Sequence, residues 1–137
     1  MLELEGKFKT AAELGLECNQ YCGLIKTLAH MEAGRLHHAP KEFTTRRGHT
    51  FSGHFNMGSW RAGTECGTVA CIGGTAELLG NCQLTGCPRG PIRELFFPDE
   101  NFCNIGYQAT PRQAAVALRG YLETGKTDWR RAMDTAP

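Results

Sequence analysis

No stretch of this sequence reaches the run of about 18 apolar residues that a membrane-spanning helix needs, so none is predicted. The opening "MLELEGKFKT" is charged throughout, has no apolar h-region and does not read as a signal peptide. Without an export signal the expected compartment is a reducing cytoplasm. Charge of one sign is also lacking: the formal net charge is +1, so no global field points to nucleic acid or an anionic membrane. Several chemical signatures are missing as well. The chain has no G-x-x-x-x-G-K-[ST] phosphate loop, H-E-x-x-H helix, G-x-S-x-G elbow or G-x-G-x-x-G fingerprint. It has no internal repeat, no low-complexity tract and no carboxylate pair in an apolar setting.

What remains is the composition of a folded domain. The 137 residues are 41% hydrophobic and 21% charged, and a chain of this length makes one domain, 1–137. Such a domain buries roughly two-thirds of its unfolded surface and needs no covalent staples. Charge is nevertheless uneven. Residues 35–61 carry Arg35, Lys41, Arg46, Arg47 and Arg61 against Glu42 alone, with four of the five histidines.

Helical periodicity dominates the rest. Cys18, Tyr21, Cys22, Ile25, Leu28 and Ala29 make a stripe over residues 17–33, with Gly34 as the stop. "KTAAELGLE" suggests a short helix broken near Gly15. "PIRELFF" reads as another short helix. "TPRQAAVALRGYLETG" is the clearest: Thr110 as N-cap, Pro111 at N1 and Gln113 at N3 form a capping box, and Gly125 ends the helix. Ala114, Leu118, Tyr121 and Leu122 are its expected buried stripe. Asp128 can cap a last helix, "WRRAM". Residues 35–63 show no sustained period and read as a long loop or insertion, with "HTFSGHF" as one short strand pair. The expected fold is mostly α: a small helical domain of four or five helices with long loops.

"TECGTVACIGGTAELLG", residues 64–80, is the most unusual stretch. Val69, Ile72, Ala76 and Leu79 share a helical face, which predicts a helix from about Thr68 to Leu79. Gly73 and Gly74 lie inside it, where each costs roughly 1 kcal/mol relative to Ala. Close approach of another backbone, which a Cβ would block, is the expected compensation.

The seven cysteines, Cys18, Cys22, Cys66, Cys71, Cys82, Cys87 and Cys103, are odd in number, which fits a disulfide framework poorly. None forms the two-residue knuckle typical of structural zinc, so no metal is expected; Cys66 and Cys71 are the weak candidates. Filler in a dry interior is the preferred reading. As a nucleophile, Cys66 is the best placed, since a helix N-terminus after it would favour the thiolate and a histidine could serve as base. Arg46-Arg47 with Lys41, His37, His38, Phe43 and Phe51 mixes cations with aromatics as single-strand binders do, at low density.

"FNMGSW", "CGTVACIGGTAELLG", "LFFPD" and "TPRQAAVALRGYLETGKTDW", over about residues 55–129, resemble in order a family of small uncharacterised proteins of bacteria and their phages. That family tends to show an F-[DN]-M-x-x-W segment, a C-G-T-x-A-C-I-x-G-x-A core, an L-F-x-P box and a T-P-x-Q-A-A helix ending T-G-x-x-D-W. Thr75 stands where the family often has a bulky aromatic. The resemblance implies a bacterial or phage setting and a shared fold, and supplies no reaction. The functional expectation is a non-enzymatic cytoplasmic module with no cofactor, a phage or mobile-element accessory factor that binds a protein or small anionic ligand. Its expected surface is the loop 35–61 with the start of the following helix: Arg46, Arg47, His54, Trp60, Gly67 and Thr68. The alternatives are a thiol- or metal-dependent enzyme at Cys66 and Cys71, and nucleic-acid binding through the basic loop.

Overall fold

The computed structural model describes residues 8–40, 46–64, 67–84, 91–98 and 108–137. In chain order these form α1 (Ala11–Leu14), α2 (Cys18–Glu32), β1 (His37–His38), β2 (His54–Phe55), β3 (Arg61–Thr64), β4 (Gly67–Ala70), α3 (Ile72–Gly80), α4 (Pro91–Phe96), α5 (Pro111–Thr124) and α6 (Trp129–Met133). The strands make one mixed sheet in the order β1-β2-β4-β3. β1 and β4 run parallel to β2, and β3 runs antiparallel to β4. The fold is therefore mixed α/β, and the mostly α expectation is corrected. No helix among the described residues is long and apolar enough to cross a membrane.

The correction has a simple cause. Strands of two to four residues are too short to display a period of two, and only β3 and β4 pair close in sequence, while β1 and β2 find their partners 15 or more residues away. The stretch expected to be a loop supplies β1 and β2, and β2 sits between two neighbours inside the sheet. "HTFSGHF" holds one strand, which pairs outside its own segment. Thr68 and Val69, expected on the helix, belong to β4, and α3 begins only at Ile72.

Helix ends follow local chemistry. Thr10 and Glu13 close a capping box on α1, and Thr110 and Gln113 close one on α5. Gly15, Gly34 and Gly125 adopt positive φ after their helices. The buried face of α2, however, is rotated from the expected stripe. It consists of Gln20, Gly23, Leu24, Thr27, Leu28 and Met31, while Cys18, Cys22 and Ala29 are exposed. Two of the thiols are thus not interior filler.

The core joins Leu24, Leu28 and Met31 of α2 to Phe55 of β2, Ile72 and Ala76 of α3, Leu95 and Phe96 of α4, Leu118 and Leu122 of α5, and Trp129 of α6. α2 and α3 pack closely because Gly23 lies against the Ala76 carbonyl and against Gly80. Gly73 and Gly74 meet Trp60 instead: Gly73 lies under its indole ring, Gly74 against its carbonyl. Gly74 marks the expected close approach of another backbone, made by the residue that leads into β3, whereas Gly73 makes room for a side-chain ring.

Candidate functional site

Trp60, seated on the two glycines, fixes where β3 begins. Segment 46–48 runs alongside β3: Gly63 N–H donates to Arg46 O at 3.0 Å, Gly48 N–H to Arg61 O at 3.0 Å, and Arg47 bridges Ala62. α3 crosses beside them and delivers Glu77. Trp60, Arg61 and Arg47 thereby converge on one carboxylate. Its Oε1 accepts from Trp60 Nε1 at 2.9 Å, Arg47 Nη2 at 3.1 Å and Arg61 Nη1 at 3.2 Å. Its Oε2 accepts from the Leu84 N–H at 2.7 Å.

The side chain of Glu77 is 0% exposed, that of Arg61 12% and that of Arg47 47%. A carboxylate has about four acceptor positions, and here three donors crowd Oε1 while one holds Oε2. Glu77 is built to hold its neighbours together. Arg61 is equally committed: Nε donates to Gly48 O at 2.9 Å, and Nη2 lies 3.4 Å from His49 Nδ1. A guanidinium only donates, so in this contact Nδ1 of His49 faces a donor. Arg47, held through Nη2 and half-exposed, lines an open cleft of about 620 Å³ together with Leu78, Asn81, Cys82 and Gln83. The Trp60 ring is fixed by stacking with Phe97 at 5.7 Å and by an edge contact with Phe96 at 5.4 Å.

A larger concavity of about 1280 Å³ lies between the end of α2, α5 and the C-terminal segment. Its Arg119 is engaged by Glu32 at 2.7 Å and Glu123 at 3.4 Å, and Arg112, Lys126 and Arg131 line it as exposed side chains. The smaller cleft is the candidate site because its half-exposed arginine is anchored on a fully buried carboxylate.

Of the residues expected at a site, Arg47 and Trp60 come together around Glu77. Arg46 is exposed beside them on the 46–48 segment. His54 is half-buried on β2, separated from β3 by β4. Gly67 lies against Ser52, and Thr68 is 2% exposed with its side chain against Gly48; this pair supports the 46–52 segment from beneath. Cys66 lies outside the described residues, and the helix expected to activate it starts beyond β4. Cys71 caps α3 instead: its Sγ accepts from the Gly74 N–H at 3.4 Å. Burial pushes its thiol up to about 12, against weaker lowering by the Gly74 and Gly73 N–H groups, so the thiol stays protonated where a metal or a substrate would require thiolate. The first turn of α3 is buried under Trp60 and offers no N–H to an anion in solution. Among the described residues no group of three or more His, Cys, Asp or Glu side chains could hold a metal.

Glu77, Arg61 and His49 were missing from the expected set. One signal for Glu77 was present: it is the sole charge in "IGGTAELLG", and an acid amid apolar helical residues must find partners if it is buried.

No family model, no curated protein and no solved structure matches the chain.

Proposed function

We propose that this chain is a non-enzymatic binding module that takes an anionic group, carboxylate or phosphate, of a small ligand or protein partner in the cleft of Arg47, His49 and Arg61. The observation that carries this reading is the half-exposed Arg47 fork, anchored through one nitrogen by a fully buried carboxylate. An anchored guanidinium loses less rotamer freedom when a ligand arrives, and its planar donors match carboxylate and phosphate oxygens. The two arginines and the indole held by buried Glu77, and the protonated Cys71, speak against acid–base or thiol catalysis at these two residues. Phe51, one of the aromatics of the nucleic-acid reading, packs on the ring of His30 at 5.0 Å and is no free stacking platform.

Titration with inorganic phosphate and with citrate, followed by NMR of the Arg47 and His49 side chains, tests the reading. Saturable shifts are expected there, with affinity about tenfold weaker in Arg47→Ala, the loss of one charge-assisted pair. Arg47→Lys is expected to restore less than full affinity, because it keeps the charge without the fork. Shifts confined to other surfaces, or equal binding by Arg47→Ala, would overturn it. Salt-sensitive retention of oligonucleotides lost in Arg46→Ala/Arg47→Ala would replace it with the nucleic-acid reading.

A further inference from the structure

The sheet brings together two histidines that are far apart in sequence. His37 on the edge strand β1 and His54 on β2 are in-register partners of a parallel pair. The register is held by His37 N–H donating to Gly53 O at 2.7 Å and Ala39 N–H donating to Phe55 O at 2.9 Å. In-register residues on adjacent strands project from the same face of a sheet. The next residues, His38 and Phe55, point to the opposite face, where Phe55 is fully buried. The row His37, His54, Val69 thus runs from an exposed edge through a half-buried position to an interior one. Among the described residues no hydrogen bond is made by either the His37 or the His54 ring.

We propose that His37 and His54 form a two-imidazole site for a late first-row divalent transition cation, with the remaining coordination positions open to water or to a ligand. Neighbouring strands stand about 4.8 Å apart. Two nitrogens bound at about 2.1 Å to one ion at a right angle stand about 3 Å apart, so a modest inward turn of each ring meets the requirement. Neutral imidazole suits Ni²⁺, Cu²⁺ and Zn²⁺ and is a poor ligand for the hard cations Mg²⁺ and Ca²⁺. Two protein ligands leave an ion that exchanges readily and can accept a further donor from solution. This site is separate from the arginine cleft, which lies along β3 at the other edge of the sheet.

Ni²⁺, which does not oxidise thiols, is the probe. Isothermal titration of the full chain under reducing conditions is expected to show one Ni²⁺ site. At substoichiometric Ni²⁺ the paramagnetic ion is expected to broaden the ring-proton resonances of His37 and His54 first. His37→Ala and His54→Ala are each expected to weaken binding roughly 100-fold, because the second ligand binds intramolecularly once the first is attached. His54→Gln, closer to the size of His at the half-buried position, is expected to lose binding while keeping the circular-dichroism spectrum. The double variant Cys18→Ala/Cys22→Ala, at two exposed thiols on α2, is expected to bind as the parent does. Absence of binding at millimolar Ni²⁺, unchanged affinity in the His37 and His54 variants, or loss of binding in the cysteine double variant would each overturn the proposal.

Discussion

A single buried carboxylate organises the candidate site, and its energetics are asymmetric. Glu77 is fully buried while its partners reach outward to different degrees. Removing the centre strands a buried Arg61, so Glu77→Ala is expected to cost about 3–5 kcal/mol. Removing Arg47, whose charge is half-exposed and screened by water, leaves Glu77 held by Trp60, Arg61 and the Leu84 N–H, and Arg47→Ala is expected to cost about 1 kcal/mol or less. Urea denaturation of the two variants checks the ordering; a larger loss for Arg47→Ala would show that the carboxylate is not the hub. Cys71 gives a second residue-level test, through pH. Burial raises its thiol from about 9 to about 12, so above pH 9 the unfolded chain releases a proton that the folded chain retains. The stability that the protonated thiol contributes is complete below about pH 9 and is lost as pH rises toward 12, with a slope approaching about 1.4 kcal/mol per pH unit. Cys71→Ala lacks this term, so its stability is expected to fall less steeply than that of the parent between pH 9 and 11. Parallel curves would mean that the thiol titrates alike in both states.

Among the elements, those with local grammar were legible. α5 was readable because a cap, a stop and an apolar face all lie within a few residues of one another, and α1 and α6 were readable from one end each, the stop at Gly15 and the cap at Asp128. α2 was found but turned, since three of its inward residues do not rank as apolar. Gln20 is buried because its amide reaches Gln83 O at 2.9 Å, Thr27 because its hydroxyl bonds Gly23 O at 2.7 Å, and Gly23 because only a bare Cα admits α3. The β-strands left too little pattern to see. The glycines of α3 were legible in kind, as a close approach, and their partner was not. Two substitutions separate packing from propensity. A Cβ on Gly74 would occupy the place of the Trp60 carbonyl oxygen, a backbone atom that cannot swing away. Gly74→Ala is therefore expected to destabilise by about 3 kcal/mol or more, despite the gain in helix propensity. Gly120, inside α5, has nothing within 4 Å of its would-be Cβ, and Gly120→Ala is expected to stabilise by about 0.5–1 kcal/mol. Thermal unfolding of both variants provides the measurement, and a stabilised Gly74→Ala would remove the close approach from the account.

For the whole molecule, what could not be read was what long-range pairing decides. Glu77 gathers donors from positions 47, 60 and 61 and from the Leu84 N–H; its isolation among apolar residues hinted at burial but not at these partners. The same holds for His37 and His54, which are neighbours only once β2 enters the sheet. The C-terminal segment shows how far the fold depends on such closure. Trp129 is 1% exposed, and its Nε1 donates to Glu94 O at 2.9 Å. Thr127 Oγ1 donates to Pro91 O at 2.6 Å, and Gln113 Nε2 donates to Thr135 O at 3.1 Å. α4, α5 and α6 are thus locked by one ring and three bonds. Trp129→Ala empties a fully enclosed site and is expected to cost about 3–5 kcal/mol, a large share of the roughly 5–15 kcal/mol that keeps a domain folded. Trp129→Phe retains most of the volume and loses the indole bond, so about 1–2 kcal/mol is expected. Urea denaturation, followed by the fluorescence of the remaining Trp60, should show a lowered midpoint with an unchanged slope in both variants. A near-neutral Trp129→Ala would mean that the last helix merely rests on the core and does not complete it.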